Sequence, residues 1–336
     1  MEYRNLGRTG VKVSSLCLGT MMFGRSANEQ DAIAIVQEAL ERGVNFIDTA
    51  NAYSAGASER FVGKALANGG RKGVVLATKA FFPQDQKDPN ARGLSRRHLV
   101  EACEASLERL QTDWIDLYQM HRPQADIPID ETLRALDDLI RAGKVRYVGT
   151  SMFPSWKSVE ALWAAKELGL NRFVSEQMAY NLLDRTAERE VIPAAQSFGM
   201  ALIPWAPLCG GLLTGKYRRD DQSAEGRWHG GKDNFGRPAT PAAYDVIEGL
   251  VALAQEKGCT PSQLALAWNA AQSGITAPII GPRTLEQLID NVGAVAVAVT
   301  DADRARLDAL APPWSATLRY YDAALALDFR PNLGRW

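Results

Sequence analysis

Cysteine is scarce in this chain, and histidine scarcer. The four cysteines (Cys17, Cys103, Cys209 and Cys259) stand far apart and form no C-x-x-C pair, so nothing points to a disulfide framework. The three histidines (His98, His121 and His229) have no ligand-like spacing, and no metal site is expected. Net charge is −1 and the basic residues are scattered, which removes the usual reason to expect nucleic acid or an anionic membrane as a partner. No apolar run approaches the roughly 20 residues needed to span a bilayer. Residues 1–10 are polar where a secretory signal would be apolar, so a reducing cytoplasm is the expected setting. Nothing in the sequence indicates self-association, although a homo-oligomer is compatible with it.

What is present is alternation. The chain has 336 residues, 46% of them hydrophobic, enough for two domains or for one α/β barrel with insertions. Strand-like runs rich in Val, Ile and Leu begin near Ser15, Val44, Val74, Ile115, Val145, Phe173, Ala201 and Ala277. They show little in/out alternation, as strands covered on both faces do. Amphipathic helices separate them. Ile33, Val36 and Leu40 recur on one face after Asn28, a candidate N-cap, and Gly43 is a stop. Leu99, Cys103, Leu107 and Leu110 make a similar stripe, as do Leu133, Leu136 and Ile140.

Alternation at this spacing requires parallel pairing with right-handed crossovers. Eight units favour a closed (β/α)8 barrel, read as a single domain over residues 1–336. Residues 1–13 read as an N-terminal hairpin plugging the barrel bottom. Residues 218–240, polar and Gly-rich, read as an active-site or cofactor loop. Residues 312–336, with Trp314, Tyr320, Tyr321 and Phe329, read as a tail packing on the barrel.

Four polar residues sit where these runs give way to loops: Asp48 with Tyr53, then Lys79, then His121. Taken singly, each has an ordinary explanation. The Asp would be a cap or turn residue, the Tyr a packing residue, the His a structural one. Lys79 is harder to dismiss, because a Lys ending an apolar strand needs a partner if it points into the barrel mouth. Asp48, Lys79 and His121 end the second, third and fourth strands, and residues at the C-terminal ends of neighbouring barrel strands face one cleft. A Tyr, a Lys, a carboxylate and a His together can protonate a carbonyl oxygen. The ammonium is expected to lower the phenol pKa, the carboxylate to hold the ammonium, and the imidazole to orient the substrate oxygen.

These residues carry a resemblance. The chain resembles the aldo-keto reductase superfamily over essentially its full length. The match runs through Arg4-Asn5-Leu6-Gly7-Arg8-Thr9-Gly10 with Leu18-Gly19-Thr20, and Asn45-Phe46-Ile47-Asp48-Thr49-Ala50 with Tyr53 and Gly63. It continues with His121-Arg122-Pro123 before Thr132-Leu133, and with Gly143-Lys144-Val145-Arg146-Tyr147-Val148-Gly149. The resemblance implies that Asp48, Tyr53, Lys79 and His121 form a catalytic tetrad, with Tyr53 as general acid, and that the cofactor is NADP(H).

Two decoys are set aside. No strand-borne G-x-G-x-x-G occurs, and the stretch from Gly210 to Lys216, which fits G-x-x-x-x-G-K, has Tyr217 where a Mg²⁺-binding Ser or Thr belongs. By resemblance that stretch serves a dinucleotide instead. Trp205 would stack on nicotinamide, while Ala206, Pro207, Leu208, Gly210 and Lys216 would hold the pyrophosphate. Gly19, Thr20, Met21, Asp48 and Arg227 would add to the cofactor site. Gly281, Arg283, Gln287, Asp290 and Asn291 would hold the adenosine phosphate, with Arg283 favouring a 2′-phosphate. Ser151 and Gln177 would grip the carboxamide, although Met152 stands where the family pattern usually has Asn.

Phe23, Phe81 and Phe82, with Tyr53 and His121, are expected to line the substrate pocket, and Trp156 or Trp228 to join its rim. Such a lining suits an aldehyde or ketone, a small-molecule carbonyl substrate. The reading is therefore an NADP-dependent carbonyl reductase. Its rival is a non-catalytic NADP-binding regulatory subunit resembling potassium-channel β subunits, a branch that Trp205 and Cys209 also resemble. That branch typically has Asn at the position of His121, and His121 favours catalysis. A non-enzymatic barrel binding another phosphate ligand would leave Lys79 unexplained.

Overall fold

The computed structural model describes residues 1–67, 69–221, 223–233 and 238–319. Strands β1 (Tyr3–Asn5) and β2 (Lys12–Ser14) pair antiparallel as a hairpin. The following strands are β3 (Cys17–Gly19), β4 (Phe46–Asp48), β5 (Val75–Ala80), β6 (Ile115–Met120), β7 (Val145–Ser151), β8 (Phe173–Gln177), β9 (Ala201–Leu202) and β10 (Ile279–Ile280). They pair in parallel in that order, and β10 returns to β3. Helices α1 (Glu29–Glu41), α2 (Ala57–Ala65), α3 (Arg96–Leu110), α4 (Ile129–Arg141), α5 (Ser155–Leu168) and α6 (Val191–Phe198) fill the successive crossovers. Helices α7 (Pro241–Glu256) and α8 (Pro261–Ala270) precede β10, and α9 (Leu285–Gly293) and α10 (Asp301–Leu310) follow it.

The stretch leading into β10 closes the ring. Its Thr276 and Ile279 N–H groups donate to Leu202 O at 2.9 Å and Pro204 O at 2.8 Å, while Ile279 and Ile280 pair with Cys17 and Leu18. This is a (β/α)8 barrel. Every residue of β5 is buried, as the unbroken apolar runs require of strands covered by helices outside and side chains inside.

The hairpin seals one end. Leu6 and Val13 are fully buried in a cluster with Phe46, Leu117, Val174 and Ile203. Gly7, at φ 58°, presses so closely on β8 and β9 that a Cβ would lie 2.8 Å from Val174 O and 2.7 Å from Ala201 N. Only glycine tolerates both the positive φ and that approach. The C-terminal ends of the strands therefore form the open mouth. Past α10, Thr317 N donates to Leu183 O at 2.9 Å, while Trp314 is largely exposed. Tyr320, Tyr321 and Phe329 lie outside the described residues.

Gly63 shows how tightly the outer ring is packed. A Cβ there would sit 2.8 Å from the backbone of Arg109 and Leu110, so α2 and α3 meet almost backbone to backbone. Gly63→Ala is expected to lower stability by about 1–3 kcal/mol, as overpacked contacts do. Urea denaturation would read the loss, and an unchanged midpoint would refute the contact.

Candidate active site

Asp48, Lys79 and His121 come together at the mouth as expected from the strand ends. Lys79 is fully buried, and its ammonium has three acceptors. It donates to Asp48 Oδ2 at 2.5 Å, to Thr49 O at 2.8 Å and to the Tyr53 hydroxyl oxygen at 3.2 Å. An ammonium has three protons and no acceptor, so the phenol receives a hydrogen bond from Lys79 and its own proton is directed elsewhere. The loop after β4 delivers Tyr53, with Ser54 and Ala55 at positive φ turning the chain into α2.

Asp48 is anchored from its other side. Gln119 Nε2 and Gln177 Nε2 each donate to Asp48 Oδ1 at 2.9 Å. Gln119 was missed in the sequence, although a buried amide in an apolar strand, two residues before His121, is its signal. His121 meets Tyr53 edge-on, ring centroids 5.8 Å apart, and Phe82 at 4.9 Å. Its Nδ1 is buried with no hydrogen-bond partner among the described residues.

Burial sets the acid–base character. It pushes the Tyr53 phenol above the ordinary tyrosine value, with Lys79 pulling down and Asp48 pushing up. The expected lowering by Lys79 is thus corrected: desolvation outweighs the ammonium, and Tyr53 stays protonated at neutral pH. Burial opposes the charge on Lys79, but Asp48 and Tyr53 more than offset it, and its pKa is raised. His121 is held well below the ordinary imidazole value by burial, then by Lys79 and Arg122. The cluster is a neutral imidazole, a neutral phenol and a fixed ammonium.

The other expected residues fall into groups. Gly19 pairs with Asp48, and Thr20 Oγ1 donates to Asp48 O at 3.1 Å, so both lie beside the cluster. Ser151 Oγ donates to Gln177 O at 3.1 Å. Trp205 stands half-exposed past β9, its indole N–H donating to Met152 Sδ at 3.1 Å. Next come Ala206 at φ 52°, buried Pro207, half-exposed Leu208 and Gly210 at φ 66°. Lys216 is exposed and donates to Glu225 O at 2.6 Å. Met21 is exposed, and Arg227 donates to Met22 Sδ at 2.9 Å.

Gly281, Arg283, Gln287, Asp290 and Asn291 gather around α9. Gly281 is exposed, and added Cβ atoms there would meet nothing within 4 Å. Arg283 N donates to Gln287 Oε1 at 2.9 Å, and Asn291 is buried. Thr260 Oγ1 and Gln263 Nε2 donate to Asp290 Oδ1 at 2.9 and 3.1 Å. That oxygen joins α9 to the cap of α8.

Phe81 and Phe82 lie edge to face at 5.4 Å, half-exposed beside His121. Phe23 does not join them. It is fully buried in the main apolar cluster, so its ring offers a ligand no surface. The loop around it folds inward, with Ser54 Oγ donating to Phe23 O at 2.8 Å. Trp228 is also buried, its indole N–H on Cys209 O at 2.9 Å, while Trp156 lies exposed on α5.

A barrel closed below and carrying Tyr, Lys, Asp and His at its mouth has a counterpart among known families. The aldo/keto reductase family profile matches residues 15–312, and the chain belongs to that family. Membership supports oxidoreductase chemistry. Among its relatives is an uncharacterized oxidoreductase, YrpG, of Bacillus subtilis, 45% identical over 89% of this chain and 92% of that one. A probable voltage-gated potassium channel subunit beta of rice is 36% identical over 88% and 92%. Versiconal hemiacetal acetate reductase of Aspergillus parasiticus is 34% identical over 89% and 94%. Among the described residues, no helix is long and apolar enough to cross a membrane.

Proposed function

We propose that the protein reduces an aldehyde or ketone to an alcohol with NADPH. The observation that carries this reading is the Lys79 ammonium, whose third hydrogen bond ends on the Tyr53 oxygen and leaves the phenolic proton available to a substrate. When bound, the dinucleotide supplies the hydride. The chain does the rest. Neutral His121 hydrogen-bonds the carbonyl oxygen and fixes its angle. Tyr53 gives that oxygen its proton, and Lys79 stabilises the phenolate left behind. Asp48, gripped by Gln119 and Gln177, keeps Lys79 in position.

The cofactor fits the residues present. Trp205 offers a half-exposed ring at a strand end, Gly281 leaves open space beside α9, and Arg283 is half-exposed at that helix's N-terminus, a favourable place for a phosphate. Arg283→Ala is expected to weaken NADPH by about 10- to 100-fold, the scale of a charge-assisted contact, and to leave NADH nearly unchanged. Fluorescence titration with both cofactors measures this, and equal losses would remove the 2′-phosphate assignment.

Phe81 and Phe82 beside His121 favour carbonyl compounds with an apolar or aromatic body. A panel of aromatic, aliphatic and sugar-derived carbonyl compounds, followed by loss of NADPH absorbance, tests the reading. Tight cofactor binding with no turnover on any of them would favour the alternative, a regulatory subunit, which the likeness to potassium-channel β subunits supports.

A further inference from the structure

Strand β8 carries a carboxylate that the proposed chemistry does not use. Glu176 precedes Gln177, which reaches inward to Asp48, and alternation along the strand points Glu176 outward beneath α5 and α6. It is buried. Glu176 Oε1 accepts the Phe153 N–H at 3.1 Å, and its Oε2 lies against the Thr150 hydroxyl, whose one proton can go to it or to Ser175 O at 3.1 Å. Between those two contacts lies Met152, at φ 64°, a left-handed conformation uncommon outside glycine that must be held by its surroundings. Met152 N donates to Gln177 O at 3.0 Å, and Met152 Sδ accepts the Trp205 indole N–H. One chain of contacts therefore runs from the Glu176 carboxylate through the 151–153 turn to the Trp205 ring.

We propose that Glu176 is a positioning residue for the cofactor edge of the site, its carboxylate holding the 151–153 turn and so fixing Ser151, Met152 and the Trp205 ring against the dinucleotide. This rests on the cofactor reading above and adds a regulator to it. Burial pushes the Glu176 carboxyl up to about 8, opposed by the Thr150 hydroxyl, the Phe153 and Met152 N–H groups and the Arg122 guanidinium. Helix α5 presents Ser155 and Ser158, and α6 presents apolar side chains. Ser155 Oγ has no partner among the described residues and borders, with Glu176, a cavity of about 10 Å³.

The sign follows from the bonds. Ionised Glu176 makes charge-assisted hydrogen bonds to the turn, roughly twice as strong as neutral ones. Protonated, it donates to Thr150 Oγ1, whose own proton turns to Ser175 O, and the Phe153 N–H is left with a neutral acceptor, a weaker hold on the turn. Cofactor affinity therefore rises as pH climbs through the carboxyl's value of about 8.

The test titrates the intact protein with NADPH, read by cofactor fluorescence, across that pH range. Wild type is expected to tighten about three- to tenfold, the scale of up to one pKa unit of coupling. Glu176→Gln, which mimics the protonated acid, should hold the weaker affinity at every pH. Thr150→Val, which removes a donor to the carboxylate, should move the midpoint upward and tests the same claim independently of how well the Gln variant folds. Parallel pH profiles for wild type and Glu176→Gln, or an unmoved midpoint in Thr150→Val, would overturn the role of Glu176 while leaving the cofactor reading intact. If neither NADPH nor NADH binds at any pH, the cofactor reading falls and this inference falls with it.

Discussion

Tyr53→Phe is expected to abolish nearly all turnover while leaving NADPH affinity within about twofold of wild type. Loss of general-acid assistance costs about 10²–10⁴ in rate, and the phenol is the only neutral O–H donor in the tetrad. The substitution removes one hydroxyl from a largely buried ring that keeps its edge contact with His121, so the fold should persist. Because burial holds the Tyr53 phenol above its ordinary value, the proton-donating form survives into alkaline pH. Reduction should therefore show no fall from Tyr53 ionisation anywhere near neutrality. Steady-state assays across pH, paired with cofactor titration, check both points. Turnover retained in Tyr53→Phe would dismiss the assignment.

The second large effect concerns the pair beneath it. Lys79→Met leaves the Asp48 carboxylate buried without its cation, and breaking such a pair costs about 3–5 kcal/mol. Two amide donors from Gln119 and Gln177 remain on Oδ1, which places the loss nearer the lower end. Adding Asp48→Asn removes the stranded charge but keeps an oxygen for those amides, so the double variant should recover much of the stability. It should recover none of the activity, because no ammonium is left to stabilise the phenolate. Denaturant unfolding of the two variants gives the comparison. A double variant no more stable than Lys79→Met would show that the pair's charge is not what holds the site together.

The barrel was legible because its parallel strands are covered on both faces and so carry unbroken apolar runs. The eight predicted starts fall within a few residues of β3 to β10. Helix ends were legible where chemistry marks them: Asn28 Oδ1 accepts the Asp31 N–H, and Gly43 turns at φ 83°. The buried face of α1 was less so. Ala32, Ile35, Val36 and Ala39 are the buried residues, and alanines leave little trace in a hydrophobic pattern. Asp48, Lys79 and His121 could be found because polar groups stood out at apolar strand ends.

What could not be read was depth. Whether Phe23 faces a ligand or the core depends on how one loop folds back, and its local sequence is the same either way. The direction of the Tyr53 shift is a contest between an ammonium, visible in the sequence, and desolvation, which is not. Gln119 and Glu176 share this difficulty, since each sits in a strand whose partners arrive from distant parts of the chain. The Met152–Trp205 contact spans 53 residues of sequence and exists only once the barrel closes.

The saturation of Lys79 has one more consequence. Free amines condense with aldehydes, and a lysine beside a carbonyl pocket risks being captured as an imine. Here all three ammonium protons are engaged and the pKa is raised, so the nitrogen has no lone pair to offer. Under the proposed reaction, the same contacts that aim the phenol also keep the lysine from condensing with the compounds it helps to reduce.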